Sequence, residues 1–201
     1  MIKLVVGLGN PGRQYEFNRH NIGQLAIDQL SFYDDLVWKA KFRGLVSDYE
    51  IAGEKVYFLK PQTFMNLSGE SLVAAAGFFK IDPTEILVIH DELDLEFGTI
   101  RFKKGGGLAG HNGLRSIAQL LGSQDFLRLR LGISRPVHGN ESDWVLSDFS
   151  SEEEKDLGTC LKMAAEAIEM SLKLGFDAAF AMFSKKGAIP SDKKSGDSHG
   201  T

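Results

Sequence analysis

Residues 86–92 read Ile-Leu-Val-Ile-His-Asp-Glu, a continuous apolar run followed at once by three polar residues. Four consecutive apolar residues are typical of a strand that is covered on both faces, at the centre of a sheet. Asp91 then emerges at the carboxyl end of this strand. In open α/β sheets that edge is where functional sites are built. The run therefore predicts a central strand with a site beside Asp91.

Other strand and helix patterns surround this run. Short apolar or alternating segments predict strands, and apolar residues at helical spacing predict helices. The predicted strands are Ile2–Val6, Leu45–Ile51, Val56–Leu59, Thr99–Lys103 and Phe126–Ile133. The second and third of them are predicted to form a hairpin that turns at Ala52-Gly53-Glu54. The predicted helices are Asn21–Asp34, Asn66–Phe79, a helix ending near Leu121, a capped helix from Ser150 to near Lys173, and Asp177–Phe183. Strands interspersed with helices predict an α/β fold, a twisted mixed β-sheet sandwiched between α-helices.

Length and composition set limits on the class of protein. The chain has 201 residues, of which 43% are apolar and 25% charged, and this balance predicts one globular domain over residues 1–186. The polar residues 187–201 predict a disordered tail. The single cysteine excludes an internal disulfide framework. Neither a signal peptide nor an apolar stretch of transmembrane length is recognised, so we expect a cytoplasmic protein.

The basic residues are concentrated in one part of the chain. Net charge is −4, but seven Lys/Arg and one acid lie between Arg101 and Pro136, so this zone carries +6 and the rest −10. A localised basic zone can bind one polyanion at one place. A solvated basic surface is the alternative, and charge alone favours neither. Within the zone, Phe126–Ile133 alternates apolar and basic residues, which predicts a strand with one wet face.

The segment Gly7–Gly12 follows a predicted strand and matches the dinucleotide-binding pattern GxGxxG. That pattern requires a helix that starts inside it and a second strand that ends in an acid about 20 residues on. Pro11 and the polar loop to His20 delay the helix, and the residues before Asp34 are predicted as helix rather than strand. Nucleotide binding is therefore disfavoured, and a tight glycine turn is the better interpretation.

A histidine and a carboxylate follow two of the predicted strands. His20 closes the loop after the first strand, and Asp91 follows the central strand. A lone histidine is usually a surface or packing residue, but if the two strands are neighbours Asp91 lies near this one. A carboxylate that orients a histidine produces a general base able to deprotonate water. The pattern favours His20 as that base.

Metal binding is the competing interpretation, because ligand-type side chains are grouped in the same segments. They are His20, His90, Asp91, Asp94 and His111. None of them has a recognised metal-binding spacing such as HExxH. The sequence therefore predicts a site without a metal.

Three asparagines accompany these groups: Asn10, Asn66 and Asn112. An amide both donates and accepts hydrogen bonds, which suits a site that recognises peptide main chain. Each is equally typical of a turn or a helix cap, and for Asn66 capping is a serious alternative. No serine lies in a GxSxG elbow, and Cys160 has no base beside it and is more typical of the core. Water is therefore favoured as the nucleophile.

Four long motifs resemble one family in order and spacing. They are GLGNPGRQYEFNRHNIG (7–23), KPQTFMNLSGES (60–71), HDELDLEFGTIRFKKGGGLAGHNGLRSI (90–117) and FLRLRLGISRP (126–136). The chain resembles the bacterial-type peptidyl-tRNA hydrolases from residue 2 to about 183. That resemblance implies hydrolysis of the ester between a peptide and the 3′ ribose of tRNA, by a monomer without metal or organic cofactor.

The resemblance also implies roles for individual residues. His20 matches the family's catalytic histidine and Asp91 its partner, and Asn10 matches one of its site asparagines. An oxyanion in the transition state needs a donor, and either the Asn10 amide or a nearby backbone N–H could supply it. The residues that match the peptide-binding cleft are Tyr15, Met65, Asn66, His111 and Asn112. Lys103 and Arg130 match the pair that grips the tRNA 5′-phosphate, and Val137–Phe149 matches a mobile lid. A non-catalytic RNA-binding relative, similar to splicing factors on the same fold, is the alternative.

Overall fold

The protein is seen in a computed structural model that describes residues 1–186, so the predicted tail lies outside the described residues. Seven strands form one sheet: β1 (Leu4–Gly7), β2 (Lys39–Lys41), β3 (Gly44–Ile51), β4 (Glu54–Pro61), β5 (Ile86–Glu92), β6 (Ile100–Lys104) and β7 (Leu127–Gly132). Six α-helices accompany them: α1 (Ile22–Ile27), α2 (Ser68–Phe79), α3 (Asn112–Leu121), α4 (Glu141–Val145), α5 (Ser151–Leu174) and α6 (Phe176–Lys186).

The strand order is β2-β3-β4-β1-β5-β7-β6. The four strands β4, β1, β5 and β7 run parallel, whereas β2, β3 and β6 pair antiparallel with their neighbours. The sheet is therefore mixed, and the predicted α/β fold is confirmed. Since β1 and β5 pair directly, with Gly7 opposite Ile89, the loop after β1 lies beside the carboxyl end of β5.

The central strand is covered on both faces, as its apolar run predicts. Leu87 and Ile89 belong to the core beneath α1, α5 and α6. Ile86 and Val88 alternate with them and belong to the core beneath α2 and α3. All seven residues of β5 are buried, including the polar ones at its end. Two layers of helices thus enclose the sheet.

Two glycines let α1 approach the sheet closely, at the point where β1 ends. A Cβ atom added at Gly23 would lie 2.3 Å from the carbonyl oxygen of Ile89, and one at Gly7 would lie 2.6 Å from the carbonyl oxygen of Gly23. No side chain fits such distances without movement of the backbone. This contact holds the turn before α1 next to the end of β5, and it explains the first glycine of the GxGxxG match without a nucleotide.

The nucleotide interpretation is not supported by the rest of this segment. The chain leads into a 3-10 turn at Arg13–Tyr15, and α1 begins only at Ile22. The next strand, β2, lies at the far edge of the sheet rather than beside β1.

The predicted helix Asn21–Asp34 was wrong in length, because α1 ends at Ile27. The following turns close with hydrogen bonds to the third residue back, such as Leu30 N–H to Ile27 at 3.2 Å. Ser31 donates from its backbone N–H and its hydroxyl to Glu169 of α5, at 2.7 and 2.9 Å. This contact, made by a residue remote in sequence, holds the chain in turns that still bury Leu30.

The predicted wet face of β7 was wrong at Arg128 and is seen only in part at Arg130, whose side chain is 23% exposed. Arg128 is 1% exposed, and its Nη2 donates to the carbonyl oxygens of Gly105 and Gly107, each at 2.9 Å. The cause is position, since β7 lies between β5 and β6 and the glycine-rich loop covers its polar side.

Two predictions that depend on neighbouring residues were confirmed, one at a helix end and one at a turn. Ser150 and Glu153 form the capping box of α5, and Ala52-Gly53 form the turn of the β3–β4 hairpin with positive φ angles of 53° and 79°. Cys160 is fully buried, and burial raises the pKa of its thiol to about 11. Among the helices within residues 1–186, none combines the length and the apolar character needed to cross a bilayer.

Candidate active site

The structure brings together the predicted base and its partner. His20 lies in a 3-10 turn, Arg19–Asn21, directly before α1, and Asp91 lies near the end of β5. Their exposed fractions are 7% and 3%. His20 Nδ1 is 2.8 Å from Asp91 Oδ2. Because an ionised carboxylate only accepts hydrogen bonds, Nδ1 donates, and Nε2 is left as the basic nitrogen.

A second imidazole binds the other oxygen of Asp91. His111 Nε2 is 2.7 Å from Asp91 Oδ1. Its Nδ1 accepts from the backbone N–H groups of Gly113 and Leu114, at 3.1 and 3.3 Å, and so caps α3. An accepting Nδ1 carries no proton, so the proton is on Nε2 and is donated to Asp91. The start of α3 thereby fixes the tautomer of His111.

The pKa values of the pair follow from this arrangement. Burial alone would raise the pKa of Asp91, but the electrostatic attraction and hydrogen bonds of the His20 and His111 N–H groups outweigh burial and hold that pKa well below its usual range. Burial alone would lower the pKa of His20, whereas the charge of Asp91 and its hydrogen bond raise it, with a net pKa above the ordinary value. Asp91 is therefore ionised, and His20 keeps its added proton to a higher pH than a free imidazole would.

His90 is not part of the reactive group. It is 1% exposed, its Nδ1 donates to the Asp91 carbonyl oxygen at 2.8 Å, and its ring packs edge-on against His111. Burial holds the pKa of His90 well below its ordinary value, so the ring is neutral. His90 serves as a packing support for His111.

The ligand-type side chains separate into two sets. Within residues 1–186, His20, Asp91 and His111 form the one group whose potential ligand atoms all lie within 4.8 Å of one another. The nearest nitrogens of both imidazoles are already hydrogen-bonded to Asp91, contacts that an ion would have to replace. Asp94 lies at the surface, where Arg135 binds it at 2.7 Å. The geometry is that of a hydrogen-bonded triad.

Asn10 is held on both sides. Its backbone N–H donates to Asn21 Oδ1, and Asn21 Nδ2 donates to the Asn10 carbonyl oxygen, both at 2.9 Å. Its side-chain Oδ1 accepts from the Met65 N–H at 2.7 Å. Because Oδ1 faces a donor, the Asn10 amide nitrogen is the end that is free to donate to a ligand.

A cavity of about 480 Å³ lies between these groups. Its lining consists of amides, His20, apolar side chains and the inner side of α4: Asn10, Tyr15, His20, Phe64, Met65, Asn66, Asn112, Ser142, Val145 and Leu146. A smaller cavity of about 110 Å³ continues from it past Asp91 and His111. We call the two cavities together the cleft.

The predicted amides take distinct positions. Asn66 is exposed in a 3-10 turn, Met65–Leu67, and neither this turn nor α2 has a side-chain cap. The capping alternative for Asn66 was therefore wrong. Asn112 is the first residue of α3, whose cap is His111. Both amides line the cleft.

The comparisons with known proteins agree with one another. A sequence model described as peptidyl-tRNA hydrolase matches residues 4–191. The chain belongs to the peptidyl-tRNA hydrolase family. A peptidyl-tRNA hydrolase of Geobacter sp. (strain M21) is 47% identical over 92% of this chain and 98% of its own. One of Sorangium cellulosum is 49% identical over 88% and 81%. The crystal structure of peptidyl-tRNA hydrolase from Acinetobacter baumannii superposes with a TM-score of 0.84 at 37% identity, covering 90% of this chain and 94% of the other.

The two basic residues predicted to bind the tRNA phosphate lie on neighbouring strands. Lys103 is on β6 and Arg130 on β7. Lys103 Nζ donates to the Gly107 carbonyl oxygen at 3.1 Å, and Arg130 Nη1 lies 3.7 Å from the Glu92 carboxylate. Burial, and then repulsion by Arg128 and Arg130, lowers the pKa of Lys103. We call Lys103 and Arg130 the basic clamp.

Two residues that support the site in this peptidyl-tRNA hydrolase family member were not predicted. Asn21 holds Asn10, and Arg19 binds residues near the start of α5. Both are buried, at 3% and 2% exposed. Their only signal in the sequence is that polar residues flank His20 on both sides. The Val137–Phe149 segment contains α4, whose Val145 lines the cleft, and its mobility stays a prediction.

Proposed function

We propose that this protein hydrolyses the ester between the peptide and the 3′ ribose of peptidyl-tRNA, with His20 as the general base. The observation that carries the proposal is the 2.8 Å contact between His20 Nδ1 and Asp91, which leaves Nε2 of His20 at an amide-lined cleft. Family membership supports the substrate class. Deeply buried histidine–carboxylate pairs of this kind suit proton transfer from water.

The reaction uses water as nucleophile. His20 Nε2 takes a proton from water as the water oxygen bonds to the ester carbonyl carbon, and Asp91 stabilises the imidazolium. The carbonyl oxygen becomes an oxyanion, to which the Asn10 amide nitrogen donates a hydrogen bond. The bond to the ribose 3′ oxygen then breaks, and that oxygen takes the proton from His20. Peptide acid and free tRNA leave, and His20 is again neutral.

The peptide is recognised through its main chain. Asn66 and Asn112 present exposed amides to the cleft, and Tyr15, Met65 and the ring edge of His111 provide walls. Amides that bind peptide N–H and C=O groups are indifferent to side-chain identity. This suits a substrate that is a peptide of any sequence.

The basic clamp binds the tRNA phosphate. Lys103 contributes a point charge, and Arg130 can fork onto two phosphate oxygens. Phosphate contacts give affinity without reading bases. The protein acts in the cytoplasm, as a monomer and without a metal. Sedimentation at working concentration tests the monomer, and turnover after chelator treatment tests the absence of a metal requirement.

One assay tests the proposal as a whole. Hydrolysis of N-acyl-aminoacyl-tRNA is measured, with free aminoacyl-tRNA as the control substrate. We expect cleavage of the first and not of the second. A protein that binds both tRNAs and releases neither acyl group would instead be the non-catalytic RNA-binding relative.

A further inference from the structure

His20 lies between two buried polar neighbours. Asn21 is hydrogen-bonded to Asn10, as described above. Arg19 is 2% exposed, and its side chain extends away from Asn10 to residues 144–153. A buried guanidinium is unfavourable unless its charge and its donors are satisfied. The partners of Arg19 therefore determine how the turn that carries His20 is held.

Those partners bind both terminal nitrogens of the guanidinium and cover one of its faces. Nη1 donates to Ser147 Oγ at 2.5 Å and to the Asp148 carbonyl oxygen, and Nη2 donates to Glu153 Oε2 at 2.5 Å. The guanidinium carbon lies 3.6 Å from the centre of the Trp144 ring. The backbone N–H of Arg19 donates to the Ser147 carbonyl oxygen at 3.0 Å. The turn is thus bound to this segment through both backbone and side chain.

Glu153 connects this contact to a helix. Its Oε2 accepts from the Ser150 N–H at 2.7 Å, which closes the capping box of α5, and the same oxygen accepts from Arg19. One carboxylate oxygen therefore joins the start of α5 to the turn that carries His20. The Glu153 side chain is 16% exposed, so its pairing with Arg19 is little screened by water.

The remaining partners belong to the far wall of the cleft. Val145 and Leu146 line the cavity beside His20. Trp144, which precedes them in α4, is fixed by its Nε1 bond to the Ser134 carbonyl oxygen at 2.8 Å. Asn18 Nδ2 donates to the Leu146 carbonyl oxygen. The contacts of Asn18 and Arg19 thus join the turn that carries His20 to the opposite wall of the cleft, which α4 and Leu146 form.

We propose that Arg19 is a positioning residue, which with Glu153 as its counter-ion and Trp144 as its platform fixes the distance between His20 and the α4 wall. The inference rests on the proposed function. A displacement of about 1 Å from productive geometry costs on the order of a hundredfold in rate, so loosening this contact lowers turnover although Arg19 touches no reacting atom.

Two conservative variants test it. Arg19→Lys keeps the charge, but an ammonium cannot reach Ser147, Asp148 and Glu153 together while covering the Trp144 ring. Glu153→Gln keeps one oxygen able to accept from Ser150 and Arg19, removes the charge and replaces the other oxygen with an amide nitrogen. Glu154→Gln is the matched control, because Glu154 lies in the same helical turn and is exposed.

The measurements are kcat, KM and the pH–rate profile on a short N-acyl-aminoacyl ester, together with melting temperature. We expect Arg19→Lys to lower kcat about tenfold to a hundredfold, and Glu153→Gln to lower it less. The midpoint of the pH profile stays unchanged, because the contact between His20 and Asp91 is intact. Glu154→Gln retains wild-type kinetics.

Contrary outcomes are distinct. Variants that melt earlier but keep wild-type kcat and KM when folded would show a purely structural role and overturn the proposal. A shifted pH midpoint would overturn it as well, since Arg19 would then act on the titration of His20. If Arg19→Lys fails to fold, Glu153→Gln and Trp144→Phe decide, and wild-type kinetics in both refute the proposal. An inactive wild-type protein would refute the proposed function instead.

Discussion

In the cleft, Asp91 is 3% exposed and binds two imidazoles at 2.7 and 2.8 Å, whereas in the basic clamp Arg130 has a side chain 23% exposed and an acidic partner at 3.7 Å. Lys103 is held by a single bond to a loop carbonyl at 3.1 Å. Proton transfer requires a fixed distance and tautomer, while attraction of a phosphate requires charge and tolerates movement. The tighter packing of the first region and the looser contacts of the second suit the two tasks that we propose for them, so substitutions in them should change different kinetic constants.

The largest effect is expected for His20→Ala. Loss of the general base should lower kcat by about a hundredfold to ten-thousandfold. The fold should survive, because His111 still donates to Asp91. Single-turnover hydrolysis of N-acyl-aminoacyl-tRNA, beside a melting curve, measures both. Near-normal turnover would remove His20 from the mechanism and end the contrast between the two regions.

Asp91→Asn should come next, with a loss in kcat on the order of a hundredfold or more, since an amide can present a donor to His20 and favour the wrong tautomer. The pH dependence adds a signature. Asp91 raises the pKa of His20, and only the neutral imidazole is a base, so wild-type activity rises with pH through that raised pKa. Without the carboxylate, the rise should move to lower pH while the plateau falls. An unmoved midpoint would show that Asp91 does not set the titration.

Lys103→Ala and Arg130→Ala should act on KM. A lost hydrogen bond to a charged group is worth about 1.5–3 kcal/mol, roughly a tenfold to hundredfold rise in KM for full-length substrate. The salt dependence should flatten by about 0.7–0.9 in log–log slope per phosphate contact. A short N-acyl-aminoacyl ester lacks that phosphate and should react as before.

Lys104→Ala is the matched control for the clamp, because Lys104 is exposed and neighbouring residues of a strand point to opposite faces. It should leave KM for both substrates unchanged. Equal losses on long and short substrates in the Lys103 or Arg130 variant would place those residues in the catalytic centre or in the fold.

The smallest effect is expected for Asn66→Ala. One hydrogen bond to the peptide is worth about 0.5–1.5 kcal/mol, a few-fold in KM. Asn66 is exposed and caps no helix, so the melting temperature should not change. Binding of deacylated tRNA should also stay the same, which equilibrium titration can check. A fall in stability with unaltered kinetics would show that this amide supports the fold and not the peptide.

The parts of the fold that the sequence predicted are those decided by nearby residues. Three features are each determined by their own residues: the apolar run of β5, the Ala52-Gly53 turn and the Ser150 cap. The end of α1 depends on Glu169 of α5, which is remote in sequence. The burial of Arg128 depends on carbonyl oxygens of a loop that the sequence does not place. Sequence patterns do not encode such partners.

The site divides in the same way. Residue types at strand ends predicted that His20 and Asp91 meet, because β1 and β5 are neighbours. The tautomer of His111 was not predictable, since it depends on which backbone N–H groups begin α3. The hydrogen bonds between Asn21 and Asn10 were not predictable either, because they depend on the exact path of the loop between these residues. The sequence thus predicted which side chains form the candidate site, but not the hydrogen bonds that hold them in place.

Cys160 gives the protein a built-in reporter of opening. It is the single cysteine of the chain, is fully buried in α5, and has a thiol whose pKa is raised to about 11. A thiol reagent reacts with the thiolate, so it can label this residue only when α5 moves away from the sheet. The rate of labelling thus reports the opening of the helix whose first turn binds Arg19. The rate at which α5 opens can therefore be measured in the unaltered chain, without any attached probe.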